Sequence, residues 1–163
     1  MATIATLVVG IDGSFSLDGR SAGVSSPEDR RRFLARRRNA DCIFIGGKTA
    51  RTEPYHRTPV PVVVVSRSMI NAIPSNRLAL WWNTTPEKAL LRAKKSFGEN
   101  ILVEGGPELV TYLADRGLID GLELSVTQAT GGDEKFDYQA LLAKFSNVAQ
   151  EVVAETIFYS ATL

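Results

Sequence analysis

Val103-Glu104-Gly105-Gly106-Pro107 is the stretch on which the fold turns. Ile101–Glu104 is apolar up to its last residue, as a buried strand is. Two glycines follow at once, and Pro107 stands where a helix takes proline as its first residue. The next residues carry the stripe Leu109, Val110 and Leu113 on a helix over Pro107–Arg116, stopped by Gly117. A strand that passes through a glycine pair directly into a helix is the junction of a parallel, helix-flanked sheet. Glycine lets the main chain approach a ligand with no Cβ between them. The free amides of the helix's first turn would face a phosphate, although a plain tight turn favours the same glycines. Glu104 ends an otherwise apolar strand, so it is either a solvated strand-end acid or a group aimed into a cleft. Glu108 puts a carboxylate into the first turn, where it already takes part of the dipole's field.

Ile45-Gly46-Gly47-Lys48-Thr49 repeats the arrangement. It is not a phosphate-binding P-loop, because Cys42 stands where that motif needs its first glycine. What remains is a strand, a glycine turn, and Lys48, Thr49 and Arg51 within reach of a phosphate; a capped turn with a solvated lysine reads the same way. No G-x-G-x-x-G occurs, so the ordinary Rossmann fingerprint is absent.

Outward from these corners, the pattern predicts strands at Thr6–Ile11, Cys42–Ile45, Val62–Val65, Leu78–Trp82 and Leu122–Thr127. A closing pair is expected at Val148–Glu155 and Thr156–Leu163. Ser26-Pro27-Glu28-Asp29 opens a helix that runs to about Arg38. Thr85-Pro86-Glu87 opens another, with the stripe Ala89, Leu90, Ala93 and Phe97 and a stop at Gly98. A helical turn follows Lys48, and Tyr138–Phe145 is a short helix. Asp12–Ser26 and Pro54–Pro61 read as loops. Strands alternate with helices early and dominate late. The expected architecture is therefore α/β, a mostly parallel central sheet with antiparallel C-terminal strands and helices on both faces, formed by residues 1–163 as one domain. Ligands of such sheets sit at the carboxyl ends of the strands, where both glycine corners fall.

The first long helix carries six arginines. At 100° per residue Phe33 and Leu34 share a face with Arg30 and Arg37, which leans Arg30 toward the core and an anionic group. Arg31, Arg32, Arg36 and Arg38 are expected in solvent. His56, the only histidine, lies in a proline-rich loop and reads as surface. One histidine and one cysteine make no zinc site, so no metal is expected. No G-x-S-x-G is present, and Trp81 and Trp82 read as packing.

Apolar residues at 44% and charged residues at 23% are those of a globular protein. The net charge of +1 gives no case for a nucleic-acid or membrane partner. Cys42 alone allows no internal disulfide, which fits a reducing compartment. With no basic, apolar leader and no 20-residue apolar run, a cytoplasmic location is expected.

Ser16-Leu17-Asp18-Gly19-Arg20, Ser26-Pro27 with Arg30, Asp41-Cys42-Ile43 leading to Thr49, Val103–Leu109 and Gly117-Leu118-Ile119-Asp120 follow one another in a known order. The set resembles the reductase domain of the bacterial bifunctional riboflavin-biosynthesis deaminase/reductase, similar in fold to dihydrofolate reductase, over about Leu7 to Val126. The resemblance implies a homodimer that uses NADPH to reduce the ribosyl group of 5-amino-6-(5-phosphoribosylamino)uracil to ribityl. It implies that Ser14 and the turn Gly46, Gly47, Lys48 and Thr49 line the cofactor. Gly105, Gly106, Pro107 and Glu108 would turn over its pyrophosphate. Asp18 and Glu104 would flank the reacting sugar as catalytic groups. Glu53 matches an acid four residues after the family's threonine, Arg30 or Arg31 would hold the substrate phosphate, and Arg57 would stand in as a second phosphate-binding arginine. The alternatives are a reductase of the same fold acting on a pterin, folate-like or other heterocycle, and a catalytically silent nucleotide-binding protein.

Overall fold

The computed structural model describes residues 2–163. Its main sheet has eight strands: β1 (Thr3–Gly10), β3 (Cys42–Gly46), β4 (Val62–Val65), β5 (Ala79–Trp82), β6 (Ile101–Val103), β7 (Gly121–Thr127), β9 (Asn147–Val153) and β10 (Thr156–Thr162), in the order β5-β4-β3-β6-β1-β7-β10-β9. The pairs from β5 through β7 are parallel, and β10 is antiparallel to both β7 and β9. β2 (Ser14–Ser16) and β8 (Glu134–Lys135) form a separate two-stranded sheet. The helices are α1 (Pro27–Arg38), α2 (Gly47–Thr52), α3 (Pro86–Phe97), α4 (Pro107–Asp115) and α5 (Tyr138–Leu142). This is the expected layered α/β fold, with helices on both faces.

The central strands β3, β4 and β6 are buried on both sides, so their apolar runs split between two cores. Phe44, Val63, Val103 and Leu124 pack with Ala89, Leu90, Val110, Leu113 and Leu141 from α3, α4 and α5. Ile43, Ile45, Val62 and Val64 turn the other way, onto Ala50, Tyr55 and Ile73.

The first strand starts at Thr3 and stops at Gly10, and Ile11 is an exposed turn residue. The stretch expected to be a loop, Asp12–Ser26, contains β2 and a 3-10 turn at Ser21–Val24. Its glycine and serine content hides a short strand that forms only because β8 pairs with it. β9 and β10 close through Ala154 and Glu155, at φ 47° and 70°. Neither is a residue that favours positive φ, which is why this turn left no mark in the sequence.

α1 departs most from its reading. Its buried residues are Asp29 and Arg37, and Arg30 is exposed. Arg36 donates to Thr6 Oγ1 at 3.0 Å, and Arg32 lies over the Phe158 ring at 3.8 Å. Arg32, Arg36 and Arg37 therefore lay their stems and guanidinium groups on the sheet, as amphipathic long chains can. Arg31 and Arg38 are exposed, as expected.

Candidate functional site

Both glycine corners form at the carboxyl ends of adjacent strands. β3 runs into Gly46, the N-cap of α2, and β6 runs through Glu104 and Gly105 into Gly106, the N-cap of α4. Neither helix has a side-chain cap, whereas α1, α3 and α5 are capped by Ser26, Thr85 and Asp137. The two glycines of each pair have different surroundings. A Cβ on Gly105 would lie 2.6 Å from Leu109 Cδ2, and one on Gly47 would lie 2.6 Å from Ser66 Oγ. A Cβ on Gly106 would meet nothing within 4 Å, and one on Gly46 only Leu109 Cδ2 at 3.9 Å. One glycine of each pair is closely packed, and the other leaves open space in front of the helix.

That space is part of a cleft of about 1280 Å³ along the carboxyl edge of the sheet. Ser66, Arg67, Asn83 and Thr85 line it beyond β4 and β5, and the two corners line its middle. Thr6, Leu7, Phe15, Arg20, Asp29, Arg30, Phe33 and Glu53 line the part beside β1 and α1.

Where these walls meet, Glu104 is held by two partners. Arg37 donates to it through Nε at 2.9 Å and Nη2 at 2.7 Å, and Tyr55 donates its hydroxyl at 2.7 Å. The Glu104 and Arg37 side chains are 1% and 9% exposed. The guanidinium also lies over the rings of Phe33, at 4.4 Å, and Tyr55, at 5.2 Å. Burial, and then the Glu104 carboxylate, push the Tyr55 phenol well above its usual range, so it stays protonated as a donor. Burial works against the Arg37 charge, but the bond and the charge of Glu104 outweigh it and the pKa rises. The cluster ties α1, the segment after α2 and the β6–α4 corner together. Glu104 is thus neither of its two sequence readings in pure form: it reaches the cleft wall, but as a carboxylate already bonded to Arg37 and Tyr55.

Of the residues predicted for the cofactor, Gly46, Gly47, Lys48, Thr49, Gly105, Gly106, Pro107 and Glu108 line the cleft together. Ser14 does not. It is fully buried, donates to Asp12 Oδ1 at 2.6 Å and accepts from the Gly132 amide at 2.9 Å, so it fastens β2 to the segment before β8. The Asp12 carboxyl is held far below its usual range, chiefly by that Ser14 hydroxyl and then by the Gly131 amide.

On the substrate side, Glu53 lines the cleft and accepts from the Ser21 amide at 2.8 Å, and Arg30 lines it as an exposed cation. Arg31 and Arg57 are exposed and outside the cleft lining. Arg57 is carried away because its loop is pinned on either side by Asn76, which donates to the Tyr55 carbonyl at 2.9 Å and to Thr58 Oγ1 at 3.0 Å. Asp18 is also outside the lining. It occupies an exposed tight turn with Gly19, at φ 53° and 75°, closed by paired bonds between Leu17 and Arg20. That two-residue turn is one whose backbone favours Asp-Gly.

The sequence reading missed Arg37, Tyr55 and Asp29. Asp29 is 6% exposed, lines the cleft and accepts from Ser25 Oγ at 2.6 Å. The spacing Asp29, Phe33, Arg36 and Arg37 marks the inward face of α1, but polar residues on it look like a solvated face. Among the described residues no cluster of three or more His, Cys, Asp or Glu could hold a metal, and no helix is long and apolar enough to cross a membrane.

A parallel sheet with an antiparallel end, two glycine corners and a long cleft across them define a dihydrofolate-reductase-like α/β protein. Residues 2–136 match the RibD C-terminal domain family, and the chain belongs to that family. Its fold is similar to a pyrimidine reductase-like protein from Corynebacterium diphtheriae, with TM-score 0.71 and 18% identity over 99% of this chain and 91% of that one. It is also similar to dihydrofolate reductase from Enterococcus faecalis complexed with NADP(H), with TM-score 0.71 and 18% identity over 99% and 95% of the two chains. The deaminase/5-amino-6-(5-phosphoribosylamino)uracil reductase of Thermotoga maritima superposes with TM-score 0.72 at 13% identity, and this chain spans 56% of its length. No curated protein sequence matches the chain.

Proposed function

We propose that the protein is an NADPH-dependent reductase, with the dinucleotide lying along the cleft. The observation that carries this reading is Gly106. It caps α4 without a side chain, and the space its Cβ would occupy is empty. The first-turn amides and the positive end of a nine-residue helix are what a diphosphate requires. Arg67, Ser66 and Thr85 would hold the phosphorylated adenosine end, because that stretch of the lining carries a cation and two hydroxyls. When bound, NADPH would be the source of the hydride. The residues do the positioning, which is most of what hydride transfer asks of a protein. Phe15 and Leu7 offer apolar walls, and Glu104 with Arg37 and Tyr55 fixes the wall beside the corner. Glu104 serves there as a wall group held in place by its bonds to Arg37 and Tyr55.

The substrate of this reading is the ribosylamino-pyrimidine phosphate, with Arg30 and Arg20 for its phosphate and Glu53 for a sugar hydroxyl. The proposed assembly is a cytoplasmic homodimer. A second reading, an amino-heterocycle without a phosphate, is favoured by one observation. Arg31 and Arg57 lie off the cleft, while the buried Asp29 is among the residues that line it. Loss of NADPH absorbance decides between them. Oxidation on adding the ribosylaminouracil phosphate supports the first, and oxidation by dihydrofolate or dihydropterin alone supports the second. NADPH titration with no fluorescence change would remove both.

A further inference from the structure

The geometry points to Glu134 as a built-in competitor of the cofactor, a carboxylate that occupies Lys48 until an anion displaces it. The inference rests on the cofactor reading above.

Lys48 Nζ lies 3.3 Å from both carboxylate oxygens of Glu134. The two residues line the same cleft from different walls, Lys48 on α2 behind the first glycine corner and Glu134 on β8 of the small sheet. The small sheet is fastened to its own surroundings at several points. Lys135 pairs with Asp12 at 3.3 Å, the Phe136 amide donates to the Gly13 carbonyl at 2.9 Å, and the Asp133 amide donates to the Ser16 carbonyl at 2.9 Å. The Lys48–Glu134 pair instead crosses the groove and joins that sheet to the Gly46–Gly47 corner, next to the α4 corner that would receive the diphosphate. Both side chains are largely solvated, at 68% and 48% exposed, so the pair is weak and exchangeable.

An anion reaching the corner needs Lys48 as a partner and meets the Glu134 charge beside it. It therefore has to take the ammonium from Glu134, and doing so releases the small sheet from α2. Removing the Glu134 charge should strengthen cofactor binding, opposite to the usual effect of removing a cleft residue. An exposed pair of this kind corresponds to about a two- to fivefold change in affinity, and salt should erase it because it screens exposed charges.

The test is NADPH titration by fluorescence at low and high salt, for the wild type, Glu134→Gln, Lys48→Met and the double variant. Glu134→Gln should bind about two- to fivefold more tightly at low salt, with the difference closing at high salt. Lys48→Met should lose more affinity in the Glu134→Gln background than in the wild type, because only there is the ammonium uncommitted. Equal or weaker binding by Glu134→Gln, with the wild type binding normally, overturns this inference and leaves the cofactor reading intact. If neither the wild type nor Glu134→Gln binds NADPH, both are overturned.

Discussion

Gly105 and Gly106 are neighbours under different constraints, and substitution separates them. Gly106→Val places its side chain in empty space at φ −68°, ψ 176°, which valine tolerates. Thermal stability should hardly change, while NADPH affinity should fall at least about tenfold, read by fluorescence titration. Gly105→Ala puts a methyl group against Leu109 and should cost about 1–3 kcal/mol in urea unfolding. Unchanged NADPH binding in Gly106→Val would remove that turn as the diphosphate site. The Glu104 cluster behaves differently. Tyr55→Phe deletes one of its donors and should destabilise by about 1–3 kcal/mol. Arg37→Met strands a buried carboxylate and should cost about 3–5 kcal/mol. A smaller loss for Arg37→Met than for Tyr55→Phe would show that Glu104 is not held as an ion.

At the scale of elements, the Leu17–Arg20 turn and the start of α1 shape the β1 end of the cleft. Asp18 occupies a left-handed position that asparagine also accepts. If Asp18 serves only this turn, Asp18→Asn should leave turnover within about twofold, measured by NADPH oxidation; a drop of about a hundredfold would place Asp18 in the chemistry. Ser26 caps α1 by accepting from the Asp29 amide at 3.2 Å, and Thr156 Oγ1 on β10 donates to it at 2.8 Å. Ser26→Ala should cost about 1 kcal/mol in chemical unfolding. The cap was legible because serine before proline and two acids is local chemistry. The inward arginines were not. Nothing in six arginines says which two will find Thr6 on β1, Glu123 on β7 and Glu104 at the β6–α4 corner, 30 to 87 residues away.

The whole molecule carries an alkaline limit. Burial raises the Cys42 thiol from 9.0 to about 12, and burial followed by Glu104 raises the Tyr55 phenol above 10.0. Both pKa values are higher folded than unfolded. The stability tied to each is full below its unfolded value and is lost as pH rises toward the folded one. Unfolding free energy should hold to about pH 9 and then fall between pH 9 and 12, by about 1.4 kcal/mol per pH unit per group. Urea unfolding across that range should show a shallower fall in Cys42→Ala and in Tyr55→Phe than in the wild type. A flat wild-type profile to pH 12 would contradict the burial of both groups.

The sequence by itself determined the layers, the mostly parallel character of the sheet, the caps of α1 and α3, and both glycine corners. Each of these follows from side-chain size, backbone freedom and periodicity within about ten residues. Only the tertiary structure decided that Arg37 rather than Arg30 turns inward, that Ser14 fastens a small sheet, and that Arg57 leaves the cleft while Tyr55 enters its wall. Those outcomes depend on a partner from another strand or loop, and a buried charge goes wherever the fold brings an opposite charge to meet it.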